Sequence, residues 1–220
     1  MDLLYAPIAI AVGYLAGSIS FAIIIGTIVG GIDIRDSGNR NPGTANVGRT
    51  LGPQWGAAVF FGDVAKAALP MALARRLFPD ASVVSQIVVA LTGIAALIGH
   101  RKPIFFRFKG GGGIAAAFGA VGFIAPIELL ASMAIGFLIV QIFVRESEYR
   151  FGRWTAGIIT LLTPIIVTIS SLLLDVTVWR SLKIGGFAWY EVLSVWAIVG
   201  VIVSMNAAIF GGYFRKLFRW

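Results

Sequence analysis

Cysteine is absent from the 220 residues, which excludes disulfides, thiolate nucleophiles and cysteine-built metal centres. Histidine occurs once, too few for a metal site built on imidazoles. Charge is also scarce: 13% of the chain is Asp, Glu, Lys or Arg and 58% is hydrophobic, whereas about a quarter of a soluble domain is charged. A chain of this composition belongs in a bilayer. Its apolar runs are spaced so regularly that a single polytopic membrane domain over residues 1–220 leaves no room for a separate soluble one. The opening stretch MDLLYAPIAIAVGYLAGSIS has no basic segment before its apolar run, so it reads as a retained first span and not as a cleavable signal.

About 20 apolar residues cover the hydrocarbon core. The sequence offers such runs near 5–30, 54–74, 83–100, 113–127, 128–144, 156–174 and 187–212. The expected fold is therefore all-α, an integral membrane protein of seven transmembrane helices. The turn at Pro126 and Glu128 is its least defined boundary. The basic residues sort between the two ends of these spans. One end holds Arg35, Arg40, Arg49, Arg101, Lys102, Arg107, Lys109, Arg145, Arg150, Arg153, Arg215, Lys216 and Arg219, and the other only Arg75, Arg76, Arg180 and Lys183. Since Lys and Arg are enriched in cytoplasmic loops, the N-terminus is expected outside and the C-terminus in the cytoplasm, as in a multi-pass protein of a bacterial inner (cytoplasmic) membrane. The net charge of +8 then reflects orientation and attraction to anionic headgroups, and nucleic acid is not an expected partner. The charged, aromatic segment 145–155 is expected on the same side, lying at the interface.

Two polar segments at that cytoplasmic end carry the chemistry. The first, DIRDSGNRNPGTANVGRTLG (33–52), holds three arginines, three asparagines and four glycines, with almost nothing to bury. Asn41, Pro42 and Gly43 suggest a tight turn, exposed N–H groups in such a turn make an anion-binding concavity, and Arg49 can fork onto a phosphate. The second, GHRKPIFFRFKGGGG (99–113), sets His100 at the end of a span, follows it with Arg101, Lys102, Arg107 and Lys109, and closes on four glycines that open the next helix. Free N–H groups at a helix start beside a lysine are suited to phosphate. For the histidine taken alone, a satisfied interfacial position is the simpler reading, and the glycines could equally serve close helix packing. Asp63 and Lys66 lie three residues apart on one face of the second span. At about 2.5–3.5 kcal/mol each in mid-helix, they are expected to face the interior, paired with each other or serving the polar loops. With no serine–histidine–acid set, paired carboxylates or metal cluster in the sequence, classical nucleophilic or metal hydrolysis has little support, and the residues point to a phosphate-bearing substrate handled at the membrane face; no cofactor is expected.

The order GSISF (17–21), DIRDSGNRNPGTANVGRTLG (33–52), DVAK (63–66) and GHRKPIFFRFKGGGG (99–113) resembles the motifs of the PlsY family, bacterial acyl-phosphate:glycerol-3-phosphate acyltransferases. The resemblance covers roughly the first 120 residues. It implies transfer of an acyl group from acyl phosphate to the 1-hydroxyl of glycerol-3-phosphate, giving lysophosphatidic acid for phospholipid synthesis without acyl-CoA. Carried over by position, it implies catalytic roles for Arg49, Lys109 and His100, and phosphate binding by Asn41, Gly43, Asn46, Gly110, Gly111 and Gly113. Ser18, Asp63 and Lys66 would support them. The expected partners are acyl phosphate, glycerol-3-phosphate and the phospholipid bilayer.

The chain also departs from the family pattern. Asn39 stands where the family has serine, Arg40 where it has glycine, Gly112 where it has lysine and Ala116 where it has threonine. Of the family's C-terminal R-H-R-x-N-I-like segment, only Asn206, Arg215, Lys216 and Arg219 are loosely comparable. An amide cannot relay a proton as a hydroxyl does. Two readings follow: a divergent acyltransferase, or a catalytically silent relative acting as a structural or lipid-organising subunit beside partner subunits in a membrane complex, for which Trp179, Trp189, Trp196 and Trp220 offer packing surface. A transporter or channel lacks support, because the charges cluster in loops and do not line a path through the spans.

Overall fold

In the computed structural model, which describes residues 3–80, 82–143, 155–179 and 182–207, the first apolar run is two helices, α1 (Ala6–Gly17) and α2 (Phe21–Gly30). The break falls at Ser18–Ser20, where Ser20 is extended (φ −96°, ψ 94°). A 3-10 turn (Ile34–Asp36) and α3 (Thr44–Leu51) follow, then α4 (Pro53–Leu77), α5 (Val83–Arg101) and α6 (Ile114–Ile124). The 33–52 segment, expected as a loop with nothing to bury, is thus largely folded. Ile34 and Val47 are fully buried beside Ala22, Ile23 and Val59, with Trp55 and Phe106 packed over them. Their apolar side chains anchor an otherwise polar segment to the helices below it.

The chain divides into two compact units, Met1–Phe123 and Ile124–Trp220. In the first, α1 and α5 run side by side in the same direction at very close range. Side chains added at Gly13, Gly17 and Gly99 would overlap the carbonyls of Thr92, Ala96 and Tyr14 respectively. Small residues at such contacts are how membrane helices gain dispersion energy where lipid supplies no hydrophobic drive. α4 runs opposite to both: its Asp63 lies beside His100 at the end of α5, Met71 touches the middle at Gly93, and Arg75 bonds Gln86 near the start. Hence 18–20, 31–52 and 99–113 gather at one end of this unit, and Arg75 and Arg76 lie toward the other.

In the second unit, α7 (Pro126–Phe143) packs with α8 (Thr155–Leu173), and α8 with α9 (Trp189–Met205). Between α8 and α9 the chain forms an antiparallel hairpin, β1 (Asp175–Trp179) and β2 (Leu182–Gly185), registered Asp175 to Gly185. Among the described residues the fold is otherwise all-helical, as expected, and this hairpin is an addition the sequence reading did not include. DVTVW has the β-branched, alternating character of a strand, and a hairpin pairs its own backbone. Glu128, read from sequence only as a boundary marker, is buried; its Oε1 accepts from the Gly185 N–H (2.9 Å) and the Ser170 hydroxyl (3.2 Å), clasping the hairpin to α7 and α8. Glu191 accepts from the Ala188 N–H (3.0 Å) and starts α9.

Five helical stretches are long and apolar enough to cross a bilayer: Ala6–Gly30, Pro53–Leu77, Val83–Phe106, Pro126–Phe143 and Thr155–Leu173. The fourth and seventh expected spans coincide with shorter helices, α6 of 11 residues and α9 of 17. At 1.5 Å per residue α6 rises about 16 Å, roughly half the hydrocarbon thickness. The segments 145–155 and Arg215–Arg219, expected on the cytoplasmic side, lie outside the described residues apart from Thr155, as does Trp220.

Candidate active site

The 33–52 segment is built around one amide. Asn46 is buried, and its Nδ2 donates to the carbonyls of Ile34 (3.0 Å) and Ser37 (2.9 Å) while its Oδ1 accepts from the Asn39 N–H (3.1 Å). Each of these bonds ties α3 back to the turn preceding it. Gly38 sits in the left-handed region (φ +58°), where a Cβ would strike Asn46 Oδ1, so the amide and the glycine require each other. Asn39 Oδ1 accepts from the Asn41 N–H (3.2 Å), an Asx turn. Arg40, which replaces the family's glycine, also adopts a left-handed φ of +61°, so the turn persists at a steric cost of about 1–2 kcal/mol. Gly43 precedes α3, and its carbonyl accepts from the N–H groups of Asn46 and Val47 (3.1 Å each). Arg49 is exposed in the last turn of α3.

The 99–113 segment folds back over the end of α5. Gly111 N–H donates to the His100 carbonyl (3.2 Å), and a Cβ on Gly111 would collide with both His100 Nε2 (2.6 Å) and the Pro42 carbonyl. Only a glycine lets the second segment pass between the histidine ring and the turn of the first. Ahead of it, Arg107 (φ +55°) and Phe108 (φ +59°) are consecutive non-glycine residues in the left-handed region, held by bonds from Phe108 N–H to the Pro103 carbonyl (2.9 Å) and from Lys109 N–H to the Phe106 carbonyl (3.2 Å). Such strain persists where the surroundings overdetermine the backbone. Lys109 is exposed. Gly113 (φ +83°) leads into α6, its carbonyl accepting from Ala117 N–H (2.9 Å).

A hydrogen bond joins the two segments, and two others tie 99–113 to the end of α1. Arg35 Nη1 donates to the Phe106 carbonyl (3.2 Å), the Tyr14 hydroxyl to the Lys102 carbonyl (2.9 Å), and the Ile104 N–H to Ser18 Oγ (3.4 Å). Arg35 is itself oriented by Asp33, which accepts from its Nε at 2.9 Å. The guanidinium holds the Asp33 carboxyl below the usual carboxylate range, and Asp33 raises Arg35 in turn.

Under these segments lies a buried ionic cluster. Asp63 and Lys66 face the interior, 2% and 5% exposed. Lys66 Nζ lies 2.7 Å from Asp63 Oδ1 and donates to the Ile19 carbonyl (2.8 Å) in the break between α1 and α2. His100 Nδ1 approaches the same Asp63 oxygen at 3.6 Å. His100 is therefore buried in the protein, beside the Asp63–Lys66 pair. Of the residues singled out from sequence, Ser18, Asp63, Lys66, His100, Gly110 and Gly111 converge with the turn at Pro42, while Arg49 and Lys109 stand at the surface above them. Sequence reasoning missed the Ile19 and Pro42 carbonyls and Arg35; backbone acceptors leave no mark in a sequence. An apolar groove of about 410 Å³ between Ala6, Ile10, Val84 and Leu91 lies toward the other end of α1 and α5 and has no group that could act on a phosphate.

The fold is similar to that in crystal structures of PlsY (YgiH), an integral membrane glycerol 3-phosphate acyltransferase. The glycerol 3-phosphate form superposes with a TM-score of 0.75 at 26% identity, over 96% of this chain and 92% of that one, and the lysophosphatidic acid form with 0.74. The glycerol-3-phosphate acyltransferase family profile matches residues 7–210. A glycerol-3-phosphate acyltransferase of Myxococcus xanthus is 37% identical over 148 residues, 67% of this chain and 73% of the relative. That of Anaeromyxobacter dehalogenans (strain 2CP-C) is 40% identical over 147 residues, covering 67% and 72%. The chain is thus a multi-pass integral membrane protein. It belongs to the glycerol-3-phosphate acyltransferase family.

Proposed function

We propose that this protein transfers an acyl group from acyl phosphate to the 1-hydroxyl of glycerol-3-phosphate, releasing phosphate and forming lysophosphatidic acid. The observation that carries this reading is the convergence of 33–52 and 99–113, with the Pro42 carbonyl and His100 ring meeting across Gly111. Both substrates present phosphate, and this end of the first unit offers Arg49, Lys109 and the glycine backbone of 110–113 to hold it, with Asn41 and Gly43 lining the turn. Asn46 serves indirectly by shaping that turn. The acceptor oxygen bonds to the acyl carbon, the bond from that carbon to the phosphate oxygen breaks, and a substrate phosphate takes the hydroxyl proton. No protein nucleophile is needed. Holding two substrates in register can contribute about 7–11 kcal/mol, and cations on the departing phosphate add electrostatic stabilisation.

The reading extends to topology. Seven spans within one membrane domain, the N-terminus outside and the C-terminus in the cytoplasm, would put the site at the cytoplasmic face of a bacterial inner membrane, where phosphorylated acceptor is available. Family membership and the names of the relatives do not favour the silent-subunit reading.

The test is acyl transfer by the purified protein in lipid vesicles with acyl phosphate and labelled glycerol-3-phosphate. Lysophosphatidic acid should form, and acyl-CoA should fail as donor. Arg49→Ala should reduce the rate by about 10²–10³-fold, the cost of one transition-state charge contact. The double variant Asn39→Ser/Gly112→Lys should raise it, because it restores a hydroxyl and a cation. No product from either wild type or the double variant would overturn the proposal.

A further inference from the structure

The lone histidine of the chain has two ring nitrogens in different surroundings. Nδ1 is sealed from solvent and has no hydrogen-bond partner; the nearest charged atom is Asp63 Oδ1 at 3.6 Å. Nε2 faces Gly111, beside the Pro42 carbonyl, where the two polar segments meet. A neutral imidazole carries its proton on one nitrogen and a lone pair on the other. A lone pair on Nδ1 would oppose the carboxylate oxygen in a dry site, whereas an N–H there is attracted to it, and a shift of under about 1 Å brings the pair into hydrogen-bond range.

Lys66 completes the arrangement. Its ammonium lies 2.7 Å from Asp63 Oδ1, so one carboxylate is already matched by one cation. A protonated His100 would then leave a net charge buried without a counter-ion, which is costly. The second bond of Lys66, to the Ile19 carbonyl at 2.8 Å, fastens the pair to the helix break. Arg101, the next residue along, points its guanidinium toward the Gly111 carbonyl (3.5 Å).

We infer that Asp63 and Lys66 are positioning residues that hold neutral His100 with its proton on Nδ1, so that the Nε2 lone pair faces the glycine-lined junction as a hydrogen-bond acceptor. Resting on the acyltransferase reading above, the donor it receives is the 1-hydroxyl of glycerol-3-phosphate; the bond orients that oxygen toward the acyl carbon, and as the new bond forms the proton passes by way of Nε2 to the departing phosphate.

A single histidine makes the test clean. Protein labelled with ¹⁵N-histidine in lipid nanodiscs gives one pair of ring resonances. Wild type should show a protonated-type shift at Nδ1 and an acceptor-type shift at Nε2. Asp63→Leu/Lys66→Met removes both charges at once, avoiding an orphaned buried ion, and should shift the ring toward the other tautomer or a mixture. Asp63→Glu should retain the wild-type pattern. In the transfer assay, the double variant should lose kcat on the order of 10²-fold, the range for a positioned proton acceptor, with the KM for glycerol-3-phosphate little changed. A proton on Nε2 in wild type, or an identical pair of shifts in wild type and the double variant, overturns the inference. The tautomer is read without turnover, so the two failures separate. The expected shifts in a protein with no acyl transfer would uphold the lock and sink the function; transfer by a protein with Nε2–H would do the reverse. Should the double variant not fold, the wild-type tautomer and the Asp63→Glu comparison still decide.

Discussion

At Asp33 a short side chain does two things: it caps the 3-10 turn by accepting from Arg35 N–H (2.9 Å), and it aims the guanidinium that reaches the Phe106 carbonyl. Because Arg35 depresses its folded-state pKa, Asp33 adds stability above the ordinary carboxylate range and loses it as pH falls through the lowered folded value. Asp33→Asn should therefore unfold at lower temperature than wild type at neutral pH, and the gap should close on acidification, as followed by melting in detergent. A gap that stays constant across the acid range would contradict this assignment. The functional substitutions also act at single residues. Asn39 pins the turn through its own side chain but has no hydroxyl, and Gly112 leaves one cation fewer than the family pattern beside the glycine backbone. Such differences were legible in the sequence because motifs compare residue by residue. The partners of His100 were not, since Asp63 lies 37 positions upstream on another helix.

Elements bring a different kind of information. A reading by hydropathy merged α1 and α2, because the break at Ser18–Ser20 contains nothing charged; only the extended Ser20 backbone and the bond from Lys66 to Ile19 disclose it. The polar 33–52 stretch looked unfolded for the opposite reason. Its two buried anchors, Ile34 and Val47, are 13 residues apart in sequence and form no periodic stripe, yet both are fully buried. Ile34 sits in a cluster with Ala22, Ile23, Val47 and Val59. Ile34→Ala should cost about 2–5 kcal/mol and Ile34→Val about 0.5–1.5 kcal/mol, measured by equilibrium unfolding in mixed micelles. Activity should fall with the alanine variant, since α3 carries Arg49. If Ile34→Ala melts like wild type, the segment is not held by this cluster. The hairpin at 175–185 was passed over as a connection, because five strand residues are easily lost beside long apolar runs.

For the molecule as a whole, the absence of native cysteine permits a direct check of topology. Thr50→Cys and Phe105→Cys, both at exposed positions of the gathered end, should react with a maleimide from the same side of the membrane, and Arg76→Cys from the other. With the orientation proposed above, an impermeant reagent added to intact cells should label only the third. Opposite sidedness for Thr50 and Phe105 would separate the two segments and remove the shared site. Composition alone decided that this chain lives in a bilayer, since no soluble fold accommodates runs so apolar. The Lys and Arg distribution and the ordered motifs pointed to one end of the helices as the place of chemistry, because these are local properties carried by neighbouring residues. Tertiary structure decided the rest. It turned Asp63, Lys66 and His100 into one cluster, gave Glu128 a hairpin to clasp, and placed the Pro42 carbonyl across Gly111 from His100. These depend on which distant backbones approach closely enough for a hydrogen bond, and that is set by packing among helices, which leaves no spacing to read along the chain.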